Sequence, residues 1–156
     1  MNGNHLFIEG EFPKRGRILA GLDIQSVSNR PDGAPHSIYE ELWNLKTWQD
    51  VVLSRDEGEY EAWMAGPRHP AATAPRDLPE WNRLVTEFLD GLLRAVRIVG
   101  DSKATEEPLA PDFTYGDALL GLAVHSAYHP GRIVAMRPQM GRWSARPEGS
   151  ESESSA

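Results

Sequence analysis

The stretch from Tyr115 to Trp143 constrains the fold of this chain most, because it is a long apolar segment that carries two histidines, His125 and His129. Side chains four residues apart lie on one face of a helix, with Cβ atoms about 5–6 Å apart. Two imidazoles placed in this way can share one transition metal. The neighbouring residues predict a helix buried over much of its circumference. They are Leu119, Leu122, Ala123, Ser126, Ile133 and Met136.

Two other segments show apolar residues at helical spacing, which predicts two further long helices. The first runs from the Pro35-His36-Ser37 start to about Arg55. The second is capped by Asp77 or Leu78 and stops at Gly100, while Thr114 is a suitable cap for the last helix. Short helical segments precede the stretch from Asp23 to Ala34, which is predicted to be mostly loop. No segment shows the alternation of a strand, so the sequence predicts an all-α four-helix bundle.

The connection from Glu57 to Pro79 is unusually long, and its second half is rich in proline. Such a connection within a compact domain predicts a crossover or a wall over a site. Beyond Trp143 the sequence is rich in serine and glutamate, which predicts a disordered tail over residues 144–156. The folded domain is therefore predicted to span residues 1–143.

The composition excludes several classes of function. A formal net charge of −7 argues against nucleic acid or an anionic membrane as the general partner. The absence of cysteine excludes disulfides and thiolate ligands to a metal. No apolar run approaches the roughly 18–20 residues that a membrane span requires. Since the N-terminus does not resemble a signal peptide, a cytoplasmic protein is expected.

Two segments resemble motifs of the DinB-like (DinB/YfiT) superfamily. They are SIYEELWNLKTW, from Ser37 to Trp48, and HSAYHPGRI, from His125 to Ile133. The resemblance covers most of the chain, from about Lys14 to Trp143. It implies a four-helix bundle, often a homodimer, with a divalent transition metal such as zinc, nickel or iron. In that family two metal ligands come from an HxxxH pattern, here His125 and His129, and the third is a histidine on the second helix.

The chain departs from the family at that third position, where Asn44 replaces histidine. A neutral amide oxygen is a poor partner for metals that favour imidazole. Glu40 or Glu41, one turn earlier, or water could complete the ligand set. Alternatively, Asn44 hydrogen-bonds one of the imidazoles in a site that has lost its metal. Pro130 also removes a helix hydrogen bond beside His129, which predicts a kink there.

Two functional hypotheses remain open. The resemblance implies a metal-dependent hydrolase or thiol-dependent transferase acting on a small molecule, with any thiol supplied by a cosubstrate. The alternative is a non-catalytic bundle that binds a ligand or partner. Trp48, Tyr128 and Arg132 are the candidate substrate-binding residues, although packing or surface contact also explains them. His36 is expected to make local contacts, and His69 to be solvated.

Overall fold

The computed structural model describes residues 2–10 and 14–140, and these are mostly helical, which confirms the all-α class. The predicted tail, residues 144–156, lies outside the described residues, as does the end of the long C-terminal stretch. The helices are α1 (Gly3–Phe7), α2 (Arg15–Leu19), α3 (Ile24–Ser28), α4 (Ile38–Ser54), α5 (Glu57–Ala65), α6 (Leu78–Val99), α7 (Ser102–Thr105) and α8 (Tyr115–Met136). A 3-10 turn, Arg137–Met140, follows α8.

Local capping chemistry sets where the long helices begin. Ser37 caps α4 and Thr114 caps α8, each in a capping box with the acidic residue three positions on. Asp77 caps α6 by accepting a hydrogen bond from the backbone N–H of Glu80, and Gly100 follows its last turn. The predicted cap at Thr114 is therefore confirmed, and of the two candidates for α6, Asp77 and Leu78, Asp77 is the cap.

The core forms where α4 packs against both α6 and α8, with the short helices α1 and α2 covering α6. All the residues whose spacing predicted a buried face on α8 are buried. Several side chains from α4, α6 and α8 are essentially inaccessible to solvent, namely Ile38, Leu42, Leu45, Phe88, Leu92, Leu119, Leu122 and Ile133. This apolar contact holds α4 and α8 side by side, and so brings their polar residues to one site.

Two local features were not predicted. The segment from Asp23 to Ala34 contains the short helix α3, because the Asp23 side chain accepts a hydrogen bond from the N–H of Ser26. A small antiparallel hairpin forms where no strand was expected, between β1 (Pro108–Ala110) and β2 (Phe113–Thr114). The long connection, whose structure the sequence did not specify, contains α5. The helix α8 includes Pro130 and ends at Met136, and the kink beside His129 stays a prediction. These short elements depend on single caps and pairings, which carry little sequence periodicity.

No helix in the described part of the chain has the length and hydropathy that a membrane crossing requires.

Candidate functional site

A cleft of about 560 Å³ opens between α4, α8 and the loop that joins α5 to α6 (residues 66–77, the α5–α6 loop). The structure brings every sequence-predicted site residue to its lining. These are Asn44, Trp48, His125, Tyr128, His129 and Arg132. A volume of this size is within the usual range for small-molecule sites.

Asn44 is held on both sides of its amide. Its Nδ2 donates a hydrogen bond to the backbone carbonyl of Arg68 at 2.6 Å, and its Oδ1 lies 3.0 Å from Nε2 of His125. Since Nδ2 is committed to a carbonyl, Oδ1 must accept from His125, and the proton on the imidazole must sit on Nε2. The α5–α6 loop thereby selects one tautomer of His125.

His125 is a neutral imidazole at physiological pH. Burial, followed by the nearby His129, lowers its pKa from the ordinary value of 6.5 to about 4, against the opposing charge of Glu41. The two imidazole rings lie with centroids 4.5 Å apart. A neutral His125 agrees with its role as an N–H donor to Asn44.

His129 pairs with a buried acid. Its Nδ1 lies 2.5 Å from Oε2 of Glu41, whose side chain is fully buried on α4. Nη2 of Arg132 lies 3.1 Å from the other carboxylate oxygen, but without the geometry of a hydrogen bond. A buried carboxylate needs such compensation, because desolvation of an isolated charge is costly. Glu41 thus contacts one of the two predicted metal ligands and is charge-compensated by its neighbours.

Glu40, the other acid considered as a replacement ligand, is engaged elsewhere. It pairs with Arg30 through two hydrogen bonds of 2.5 and 2.9 Å and accepts from the backbone N–H of Ser37 at 2.7 Å. Burial raises the pKa of Glu40, but the bonds from Arg30 and Ser37 outweigh it and leave that pKa below its ordinary value. Glu40 therefore caps the N-terminus of α4 and does not line the cleft.

The cleft lining contains two histidines that were not predicted as site residues, and the prediction that His69 is solvated was wrong, because His69 is half-buried. His36 and His69 stack with ring centroids 3.6 Å apart and an interplanar angle of 17°. Burial, then the neighbouring His36, lowers the pKa of His69. The α5–α6 loop folds back over α4, where Ser37 also donates to the carbonyl of Thr73 at 3.0 Å. It forms one wall of the cleft, as its length predicted.

The remaining lining is largely aromatic and cationic. The ring centroids of Trp48 and Trp63 are 5.7 Å apart, and the guanidinium of Arg68 lies 4.6 Å from the centroid of Trp63. Tyr128 is 58% exposed, and its hydroxyl accepts a hydrogen bond from Arg132 at 3.1 Å. Trp63 and Arg68 were not predicted as site residues. Their position in a connection predicted to cover a site was the only available signal.

The described residues do not fit a metal site well. Across residues 2–10 and 14–140, no three His, Cys, Asp or Glu residues are grouped so that they could hold a metal ion. The candidate ligands are two imidazoles and one neutral amide, and the amide oxygen is already bonded to His125. A zinc site ordinarily requires three or four protein ligands of nitrogen, sulfur or carboxylate type.

Comparisons with protein-family models, with curated proteins and with solved structures each found no match to this chain.

Proposed function

We propose that this chain is a DinB/YfiT-type helical bundle that binds a small molecule in the histidine-lined cleft without a metal. Hydrogen-bonded polar pairs occupy the positions where the family resemblance implies metal ligands. One pair joins Asn44 to His125, and the other joins Glu41 to His129. What supports a binding role is a preformed cleft with convergent polar groups and aromatic walls, the usual form of a small-molecule site.

The observation that carries the proposal is the fixed amide of Asn44. Turning its oxygen from His125 to a metal would break a 3.0 Å hydrogen bond, while Nδ2 remains bound to the carbonyl of Arg68. His125 would also have to release its Nε2 proton before that nitrogen could act as a ligand. Both requirements disfavour metal binding.

Metal titration of the untagged protein and of the Asn44→His variant tests this proposal. We expect the wild-type protein, offered zinc, nickel or iron, to retain no stoichiometric metal. The variant should gain affinity by roughly tenfold or more, since even outer-shell changes alter metal affinity on that scale. Asn82→His is the matched control, because Asn82 is exposed on α6 and remote from the cleft lining.

Stoichiometric metal in the wild-type protein would overturn the proposal. Equal affinities in the wild-type protein and Asn44→His would count against the idea that a third imidazole is what the site lacks. A gain in the Asn82→His control as large as in Asn44→His would show that any added surface histidine explains the result.

The second candidate is a metal-dependent hydrolase or thiol-dependent transferase acting on a small molecule. One observation favours it, the contact of Glu41 with Nδ1 of His129. A carboxylate on one imidazole nitrogen is the usual outer-shell arrangement of a metal-binding histidine. This candidate requires a bound metal, with Asn44, Glu41 or water completing the ligand set, so the wild-type metal titration separates the two functions.

A further inference from the structure

The fixed charges that line the cleft are mainly positive. Arg68 and Arg132 contribute two guanidinium groups, and among the described residues Arg132 alone of the two pairs with a carboxylate, that of the buried Glu41. Within the described residues Arg68 forms no ion pair with a carboxylate. The protein as a whole has a formal charge of −7, so a positive cleft is a local departure from its surface. A positive cleft attracts anionic ligands over neutral ones.

Arg68 is also placed so that it can bind an anion. Its backbone carbonyl is fixed by Asn44 at 2.6 Å, and its guanidinium lies over Trp63. One terminal nitrogen, Nη2, donates to the weak acceptor Sδ of Met64 at 3.6 Å, and the guanidinium carries further N–H groups in its plane. Such a planar fork matches the two oxygens of a carboxylate. The negative charge of Glu41 largely balances the positive charge of Arg132, so the cleft keeps one excess positive charge, that of Arg68. One excess charge suits a monoanion better than a dianionic phosphate.

The aromatic lining provides the second element of recognition. Trp48 lies between Trp63 and His125, with ring centroids 5.7 and 6.2 Å away respectively. Both tryptophans are partly exposed and line the cleft, so each leaves some of its ring surface open to a ligand. Aromatic pairs with centroids 4.5–7 Å apart contribute stabilisation beyond the area that they bury.

We propose that the cleft binds a planar aromatic monocarboxylate, whose carboxylate pairs with Arg68 and whose ring contacts Trp48 and Trp63. This inference rests on the proposed function only in treating the cleft as a small-molecule site. It adds a chemical class of ligand, which neither the motifs nor the resemblance supplied.

Calorimetric titration with 2-naphthoate and with its neutral isostere 2-naphthamide tests the inference. The wild-type protein should bind one naphthoate about tenfold or more tightly than naphthamide, as expected for a hydrogen-bonded ion pair with a charged ligand. Added salt should weaken naphthoate binding and leave naphthamide binding nearly unchanged. Arg68→Gln should lose the preference, while the exposed Arg83→Gln control, on α6, should keep it. Thermal unfolding of Arg68→Gln checks that the variant is folded.

Absence of binding by either compound would overturn the inference, as would equal affinity for both or a preference retained in folded Arg68→Gln. The metal-free part of the proposed function fails in a different experiment, because stoichiometric metal in the wild-type protein contradicts it whatever the naphthyl compounds do. Equal binding of both naphthyl compounds would leave the cleft a metal-free small-molecule site and remove only the anionic class.

Discussion

A single amide side chain determines much of the chemistry of the cleft. Asn44 donates to the carbonyl of Arg68 and accepts from His125, so it links α4 to both α8 and the α5–α6 loop. A histidine at this position would present a nitrogen lone pair to the cleft, whereas the amide presents an oxygen that is already bonded. The side chain at position 44 therefore sets the tautomer of His125 as well as the donor set.

The neutral state of His125 gives a prediction that can be measured directly. In pH titrations followed by NMR, its imidazole signals should titrate near pH 4, and not near 6.5, because burial disfavours the imidazolium. Between these values the unfolded chain binds the extra proton and the folded chain does not, so stability should rise with pH from about 4 to about 6.5. Replacement of His125 by Gln should remove this contribution to the pH dependence of thermal unfolding.

Replacement of the remote His5 by Gln is the matched control and should leave that contribution unchanged, because His5 lies on α1 and outside the cleft lining. A His125 signal that titrates near pH 6.5 would show that the imidazole is solvated, and it would remove the argument for a fixed Nε2 proton.

At the scale of elements, the position of the cleft follows from the way α4 packs between α6 and α8. The side chain of Gln49 on α4 packs against Gly91 on α6, where a Cβ atom would lie 2.0 Å from Oε1 of the buried Gln49. Gln49 in turn donates to the carbonyl of Phe88 on α6 at 3.2 Å. A glycine in the middle of α6 therefore permits both the close approach and the hydrogen bond.

Gly91→Ala should destabilise the fold by about 1–3 kcal/mol, the usual cost of overpacking a close contact. The gain in helix propensity would offset roughly 1 kcal/mol of any steric cost. Chemical denaturation measures the change. Gly131→Ala on α8 is the matched control, because no atom lies within 4 Å of its added Cβ. This control should be neutral or slightly stabilising. A Gly91→Ala variant as stable as the control would show that the Gln49 amide moves away from the new methyl group at little cost.

Across the whole molecule, periodicity and capping residues predicted the long helices, while contacts between distant segments were harder to predict. The apolar spacing of α8 and the cap at Thr114 were read correctly because both are local signals. The stacking of His36 on His69 was missed, since it depends on the path of the α5–α6 loop. That path is set by hydrogen bonds from Ser37 and Asn44, whose partners lie 36 and 24 residues away in sequence.

The same contrast between local signals and distant contacts applies to the residues of the cleft. Its two α8 histidines and Asn44 were found from spacing and from the motif resemblance, which point to positions on helices. Arg68 was missed, because a residue in a loop carries no periodicity that indicates which way it faces. The sequence did not decide whether Glu40 or Glu41 reaches the histidine pair. The packing of α4 against α8 places Oε2 of Glu41 2.5 Å from Nδ1 of His129.

The central claim is that hydrogen-bonded pairs, and not a metal, occupy the polar end of this cleft. Long-range ¹⁵N NMR spectra of the histidine rings, recorded before and after one equivalent of zinc, test it most directly. We predict that His125 carries its proton on Nε2 and that zinc leaves the ring signals of His125 and His129 unchanged. Loss of the Nε2 proton of His125 with a shift of both rings at one equivalent would contradict the claim.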